Sequence, residues 1–249
     1  IRPTASIILT IYNKEKTIAD LLQLLWTNTK SYNKWDLHII YDGCVDETKK
    51  NCQKILNNFK IPVYEYETPD VFEIKANNLG LKNAKGKYCI ILQDDNYIYE
   101  KKWLEKMLFW LEENPKVAVL GGLAGVNFFP LDFEAQGIGV NHSLFENHQR
   151  LDPVLDKKLS NFIFEADAVM RGPIVLRKEL LETHGYLDEE YCPIYNDDMD
   201  YCFRMKKYGY SIFCYPIDVV NKNLTVAKYK NPEKEKFWST INNDFHVFN

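Results

Sequence analysis

Strand-like apolar segments alternate with amphipathic helical segments through the first 120 residues of the chain. The segment 5–12 is a continuous run of apolar, largely β-branched residues, which is typical of a strand that is covered on both faces. Four further segments are also apolar and strand-like: 36–42, 61–66, 87–92 and 117–120. Stretches with apolar residues at helical spacing separate these segments. This order predicts an α/β fold: a doubly wound, mostly parallel sheet flanked by helices.

Composition argues against several classes of protein. The chain has 249 residues, of which 46% are apolar, so it can bury a sizeable core and is not disordered throughout. Its net charge of −4 argues against a nucleic-acid partner. No apolar run reaches the ~18 residues that a transmembrane helix needs. The six cysteines form no CxxC pair, so we expect reduced core cysteines in a cytoplasmic protein, with peripheral membrane association left open.

Aspartate and glycine residues predict where several helices begin and end. Asp46 is expected to cap the helix after the second strand. Gly86 follows a helical segment and predicts a left-handed C-terminal stop, and Gly185 predicts a second helix stop. The helix that begins near residue 197 is expected to bury three side chains: Met199, Cys202 and Phe203.

The second half of the chain is less regular than the first. Residues 121–160 are rich in Gly, Asn, Phe and His and show no clear period, which predicts a functional loop region or a lid. The tail, residues 231–249, is polar. The sequence opens at Ile1 rather than at Met and stops abruptly at Asn249, so we expect an excised piece of a longer protein.

Polar clusters follow three of the predicted strands, at residues 10–13, 42–43 and 94–96. Because doubly wound sheets bind ligands at the carboxyl ends of their strands, we expect these clusters to meet in one crevice. Asp42 could accept a hydrogen bond from a nucleotide base or a ribose. Tyr12 could stack on a base, and its plainer interpretation is an aromatic plug in a turn.

Two groups of aspartates are candidates for chemistry. Asp94 and Asp95 suit a hard divalent cation such as Mg²⁺ or Mn²⁺, and the alternative is a solvated surface turn. Asp197, Asp198 and Asp200 open a helix, where carboxylates are favoured by the free N–H groups. One of them could be a general base for an acceptor hydroxyl, and the alternative is plain N-capping.

The common nucleotide-binding fingerprints are absent from the sequence. No GxGxxG follows the first strand and no GxxxxGK[ST] occurs, which argues against a dehydrogenase and a P-loop enzyme. The five histidines form no compact metal-ligand set.

Five segments, in order and spacing, resemble the motifs of one enzyme family. They are residues 6–13 (SIILTIYN), 37–48 (LHIIYDGCVDET), 78–95, 172–188 and 197–210. Together they resemble the family-2 inverting glycosyltransferases of GT-A fold, and the likeness covers roughly residues 4–215.

The resemblance implies a division of labour along one domain. Residues 1–120 would bind the nucleotide-sugar, residues 121–230 would bind the acceptor and carry the catalytic base, and residues 231–249 would form a tail. Asp95 would bind Mn²⁺ or Mg²⁺ as the second aspartate of the DxD motif, in which Gln93 replaces the first. Asp198 would be the catalytic base. The residues implied for nucleotide-sugar binding are Thr10, Tyr12, Asp42, Asn78 and Asp94.

The resemblance therefore predicts an enzyme of polysaccharide biosynthesis. It would move a sugar from a nucleotide-diphosphate sugar, with a UDP-sugar favoured, to an acceptor hydroxyl by one metal-assisted displacement. Whether it is a hexosyl- or an N-acetylhexosaminyltransferase stays open. The acceptor could be a glycan, a lipid-linked saccharide or a protein.

Two alternatives remain. A catalytically decayed nucleotide-sugar-binding module of the same fold is favoured by Gln93. A nucleotidyltransferase ranks lower, because residues 10–16 contain two lysines but no glycine for a phosphate loop.

Overall fold

The computed structural model describes residues 4–123, 125–126, 163–192 and 196–222. Most of the predicted loop region and all of the polar tail lie outside these residues. Among the described helices, none has both the length and the apolar character of a membrane-spanning segment.

The first half of the chain alternates strands with helices, as the sequence predicts. Its strands are β1 (Ala5–Ile11), β2 (Trp35–Asp42), β3 (Val63–Thr68), β4 (Tyr88–Gln93), β5 (Asn96–Ile98) and β6 (Val117–Gly121). Its helices are α1 (Ile18–Thr29), α2 (Thr48–Leu56), α3 (Glu73–Asn83) and α4 (Trp103–Glu113).

The described part of the second half has short strands and two helices. The strands are β7 (Gly125–Val126), β8 (Phe164–Glu165), β9 (Ala168–Val169), β10 (Ile174–Arg177), β11 (Ser211–Cys214) and β12 (Val219–Asn221). The helices are α5 (Lys178–His184) and α6 (Asp197–Lys207), with a 3-10 helix at Glu189–Tyr191 between them.

One mixed sheet organises these elements, in the order β3-β2-β1-β4-β10-β6-β11-β8. Strand β1 is parallel to β2 and to β4, and β2 is parallel to β3. Strand β10 runs antiparallel between β4 and β6, and β8 runs antiparallel to β11. The α/β, mostly parallel architecture is confirmed, because the other six strands share one direction. The pairs β5–β12 and β7–β9 lie outside this sheet.

The sheet buries both of its faces. Successive side chains of a strand point to opposite faces. In β1, Ile7 therefore belongs to a core layer with α1, α2 and α4, whereas Ile8 belongs to a layer with α3, α5 and α6. Every residue of β1 is buried, which explains its uninterrupted apolar sequence.

Helix boundaries follow the predictions in part. Asp46 accepts a hydrogen bond from the backbone N–H of Thr48, the first residue of α2, at 3.0 Å. Gly185 has a φ of +93° directly after α5, so its role as a helix stop is confirmed. The prediction for Phe203 was wrong: its side chain is 45% exposed. The buried face of α6 comprises Tyr201, Cys202 and Met205, and position 203 lies beyond the edge of that face.

Gly86 does not have the left-handed conformation that was predicted for it. Helix α3 already ends at Asn83, and Gly86 lies against the start of β1. A Cβ at this position would lie 2.5 Å from the carbonyl carbon of Ala5 and 2.6 Å from the nitrogen of Ser6. Close backbone approach, rather than a positive φ, is therefore what requires glycine here.

We expect Gly86→Ala to destabilise the protein strongly, because the colliding atoms are backbone atoms that cannot rotate away. The cost should reach the upper end of the ~1–3 kcal/mol typical of overpacking. Gly209→Ala is the control: Gly209 has a φ of +84° but nothing within 4 Å of its added Cβ. Thermal unfolding should show a clearly larger loss for Gly86→Ala, and equal losses would contradict the close-approach explanation.

Candidate active site

Asp94 links the end of β4 to the turn after β1. Its Oδ2 accepts a hydrogen bond from the backbone N–H of Tyr12 at 3.0 Å. Its Oδ1 lies 3.2 Å from the Nζ of Lys14. Burial raises the pKa of Asp94 to about 6, although the positive charge of Lys14 opposes this effect. Asp94 is therefore not part of a freely solvated turn.

Asp95 lies beside the last described strand. The side-chain Nδ2 of Asn221 donates to Asp95 Oδ1 at 3.4 Å, and the backbone N–H of Lys222 donates to the Asp95 carbonyl at 2.9 Å. The antiparallel pairing of β12 with β5 brings these residues together. Burial raises the pKa of the Asp95 carboxyl group above its ordinary value.

The surroundings of Asp95 fit a hard divalent cation in part. Within the ranges that the structure describes, no group of three His, Cys, Asp or Glu side chains could hold a metal. The Asn221 Oδ1, however, is buried and accepts no hydrogen bond from any described residue. Mg²⁺ commonly uses one or two protein oxygens together with waters and substrate phosphates. The Asp95 carboxylate and the Asn221 amide oxygen are therefore the candidate protein ligands for such an ion.

Thr10 and Asp42 lie at the ends of β1 and β2 and are engaged with neighbouring elements. Thr10 Oγ1 donates to Asn77 Oδ1, on α3, at 2.7 Å. Asp42 Oδ1 accepts from Thr68 Oγ1 at 2.8 Å and from the backbone N–H of Val71 at 2.6 Å. Both residues thus hold the segments that border the carboxyl ends of the strands.

Asn78 makes its contacts away from the other predicted donor-site residues. Its Nδ2 donates to the Leu187 carbonyl at 2.8 Å and to Glu189 Oε1 at 2.9 Å. Its Oδ1 accepts from the backbone N–H of Leu187 at 3.1 Å. The amide therefore joins α3 to the segment after α5, and a role in donor binding stays a prediction.

The first turn of α6 separates the three aspartates by environment. Asp197 is fully buried, the Asp198 side chain is 13% exposed, and Asp200 pairs with Arg204 on the same helix. Asp198 Oδ1 accepts from the backbone N–H of Met199 at 2.9 Å, and its Oδ2 accepts from that of Arg171 at 3.3 Å. Asp198 is therefore oriented by the backbone and still partly accessible.

Burial raises the pKa of Asp197 to about 7. Nearby Arg171 opposes this effect, and the negative charges of Asp198 and Glu73 add to it. Asp197 is consequently a carboxyl group that can be protonated near neutral pH, directly beside the predicted base.

Arg171 lies between two of the carboxylates. Its side chain is 8% exposed, with Nη1 3.1 Å from Glu73 Oε1 and Nη2 3.1 Å from Asp197 Oδ1. These contacts are ion pairs by distance rather than aligned hydrogen bonds. Glu73 Oε1 also lies 3.4 Å from the donating Nε2 of Gln93, at the end of β4. A continuous series of contacts thus joins the end of β4 to the start of α6.

No sequence pattern predicted a place in the site for four further residues: Lys14, Glu73, Arg171 and Asn221. One signal was available for Arg171, because an arginine inside the otherwise apolar stretch 168–176 needs a carboxylate partner when it is buried. Glu73 and Asn221 carry no comparable local signal, since their partners are distant in sequence.

The fold and the carboxylates at the strand ends are those of an α/β enzyme, and sequence comparison gives the family. A family model described as glycosyl transferase family 2 matches residues 6–173. The chain belongs to this family, which confirms the resemblance.

Two curated relatives are similar over part of the chain. Poly(ribitol-phosphate) β-N-acetylglucosaminyltransferase TarS of Staphylococcus aureus is 28% identical over 141 residues, covering 57% of this chain and 23% of TarS. The poly(ribitol-phosphate) β-glucosyltransferase of Bacillus spizizenii is 27% identical over 228 residues, covering 82% of this chain and 32% of the relative. The chain thus spans about a quarter to a third of the length of these relatives.

Solved structures confirm the GT-A fold. The mannosyltransferase PcManGT from Pyrobaculum calidifontis, in complex with GDP-Man and Mn²⁺, has a TM-score of 0.66 at 16% identity, covering 92% of this chain and 59% of that one. TarS 1–349 from S. aureus, in complex with UDP-GlcNAc, has a TM-score of 0.55 at 23% identity, covering 88% and 56%.

We predict that Asp197 makes the stability of the protein depend on pH. Its pKa rises from ~4 in the unfolded chain to about 7 in the folded protein. The contribution of Asp197 to the free energy of unfolding is therefore fully present below about pH 4 and is lost as the pH rises through about 7. Asp197→Asn should remove this part of the decline. Thermal unfolding of both proteins between about pH 4 and pH 8 checks this, and an identical decline would refute it.

Proposed function

We propose that this chain is the catalytic domain of an inverting glycosyltransferase that moves a sugar from a UDP-sugar to an acceptor hydroxyl. One observation carries the proposal: the β4 end, with Asp94 and Asp95, is joined to Asp198 through contacts of 3.1–3.4 Å. These contacts support a donor-binding group and a candidate base that lie close together, as a single displacement requires.

The donor half, residues 1–120, would hold the nucleotide. Thr10, Tyr12 and Asp42 would contact the base, and Asp94 would lie beside the ribose. A carboxylate can accept more than two hydrogen bonds. Asp42 can therefore accept one from a uracil N–H in addition to those from Thr68 and Val71. A UDP-sugar is favoured because TarS has been crystallised with UDP and with UDP-GlcNAc.

Asp95 and the amide oxygen of Asn221 would hold Mn²⁺ or Mg²⁺. When bound, such an ion supplies positive charge to the leaving diphosphate. The Nζ of Lys14, which already pairs with Asp94, adds a fixed positive charge on the same side of the crevice. The crystallised complex of PcManGT with GDP-Man and Mn²⁺ supports a metal-assisted reaction in this fold.

Asp198 would remove the proton from the acceptor hydroxyl as its oxygen attacks the anomeric carbon. The backbone N–H groups of Met199 and Arg171 fix its two oxygens, so the carboxylate is already oriented before the acceptor arrives. Attack from the face opposite the diphosphate inverts the configuration. Asp197 is buried and Asp200 is paired with Arg204, so neither is as well placed as Asp198.

The acceptor half, residues 121–230, would receive a glycan, a lipid-linked saccharide or a protein. Poly(ribitol phosphate) is a further acceptor to test, because the names of the TarS and B. spizizenii relatives include it. A second candidate function is nucleotide-sugar binding without transfer. It is favoured by Gln93, which replaces a carboxylate of the family motif.

We expect Asp198→Asn to lower transfer by at least ~100-fold, as the loss of a general base does. Donor affinity should stay within about twofold, since the change removes little bulk. Asp200→Asn is the matched control on the same helix. Product formation and calorimetric UDP binding measure the two effects. Transfer near the wild-type rate in Asp198→Asn would remove this residue from the role of base.

We also expect Mn²⁺ to tighten UDP binding by the wild-type protein. Asp95→Ala should bind UDP with little dependence on Mn²⁺, because a metal ligand has been removed. Calorimetric titrations of UDP with and without Mn²⁺ measure this. If the variant keeps the wild-type response to Mn²⁺, the metal must be held elsewhere.

A further inference from the structure

The contacts around Arg171 cross three separate parts of the fold. Glu73 begins α3, Arg171 lies between β9 and β10, and Asp197 begins α6. The guanidinium contacts both carboxylates at 3.1 Å, and the Arg171 backbone N–H holds Asp198 Oδ2. One residue therefore orients the proposed base through its backbone and neutralises the adjacent aspartate through its side chain.

We propose that Arg171 is a positioning residue for the transfer reaction, with Glu73 and Gln93 as its supports. This inference rests on the proposed function, because it assigns these residues to the base Asp198. Arg171 holds the start of α6 at a fixed distance from the end of β4, where the donor would bind. It also places a positive charge beside the proposed base, with Arg171 Nε 4.0 Å from Asp198 Oδ2.

Burial makes this arrangement sensitive to the loss of either partner. Asp197 is fully buried, and the Arg171 guanidinium contacts it at 3.1 Å. Removing one member of a buried ion pair leaves the other uncompensated. Without Arg171, a proton would bind the Asp197 carboxylate at higher pH, because an opposite charge favours the ionised form.

Several charged and titratable groups face this aspartate pair. Glu73 approaches from α3 and Arg171 from the β9–β10 turn, and their charges act in opposite directions on Asp197. Among the described residues, the thiols of Cys192 and Cys202 also lie within electrostatic range of Asp197. Arg171 is the cation in direct contact with Asp197 among the described residues, so its removal should dominate the pH response.

Gln93 has a physical role in this network. Its Nε2 donates towards Glu73 Oε1 at 3.4 Å, the same oxygen that contacts Arg171. An aspartate at position 93 would place a second negative charge near Glu73 and could donate no hydrogen bond when ionised. Glutamine therefore suits the position beside Glu73 better than an ionised aspartate would.

Arg171→Met tests the proposal, because methionine fills similar space without charge. We expect kcat to fall at least about tenfold, since misplacement of a catalytic group by about 1 Å can cost ~100-fold. KM for the UDP-sugar should change less than twofold. The acid limb of the kcat profile should move to higher pH by about one unit, in line with the usual effect of losing an opposite charge.

Arg204→Met is the matched control. Arg204 also lies at a carboxylate, Asp200 at 2.9 Å, and also bridges two elements through the carbonyls of His184 and Tyr186. Its loss should lower stability without moving the acid limb. Equal pH profiles for Arg171→Met and Arg204→Met, with transfer still measurable, would overturn the positioning role and leave the proposed function intact.

Two further variants distinguish a loss of positioning from a failure to fold. Arg171→Lys keeps the charge and should retain the wild-type acid limb while kcat recovers only in part. The double variant Arg171→Met/Asp197→Asn removes both partners and should fold better than Arg171→Met alone. If the double variant folds no better than Arg171→Met, the ion pair is not the relevant contact.

A readout without catalysis covers the case in which the wild-type protein transfers no sugar. The fall in melting temperature with rising pH should continue to higher pH in Arg171→Met than in Arg204→Met, because Asp197 loses its cation. Identical curves would overturn the ion-pair network, whereas a shift without any transfer would overturn the proposed function alone.

Gln93→Asp gives an independent test. It restores the residue usual in the family, yet we expect kcat to fall several-fold because Glu73 gains a like-charged neighbour. A rise in kcat would show that Gln93 is a defect of the site and would overturn its supporting role.

Discussion

The parallel pairing of β1 with β4 is the constraint on which the rest of the site depends. It brings the turn after β1 against the end of β4, where Asp94 accepts the Tyr12 backbone N–H and pairs with Lys14. Both strands are buried on both faces, so the register is fixed by two core layers at once. Asp94 and Asp95 form the short turn between β4 and β5, so a paired strand flanks them on each side.

Residues from the second half of the chain also lie at this edge of the sheet, next to a strand that runs antiparallel to its neighbours. Strand β10 inserts antiparallel between β4 and β6, and the residues just before it bring Arg171 over the end of β4. Gly172 has a φ of +110°, and a Cβ there would lie 2.0 Å from Asn96 Oδ1. Only glycine allows the chain to pass this close to β5 and to place Arg171 beside α6.

Sequence patterns predicted the parallel core and the positions of the key carboxylates because these depend on local periodicity and on strand ends. They could not predict that β10 runs antiparallel, since a buried apolar strand has the same composition in either direction. The Gly86 prediction failed because glycine also serves close backbone approach. The partners of Arg171 and Asn221 could not be predicted because tertiary structure alone brings them together, although the apolar stretch around Arg171 indicates that it needs a carboxylate.

The proposed reaction is a single displacement in which Asp198 acts opposite the leaving diphosphate. The most direct test is proton NMR of the first product formed from an α-linked UDP-sugar by the wild-type protein. A coupling constant diagnostic of a β-glycoside is the predicted result, because one displacement inverts the anomeric centre. An α-glycoside as the first product would contradict this account, since it would require either two displacements or attack from the same face.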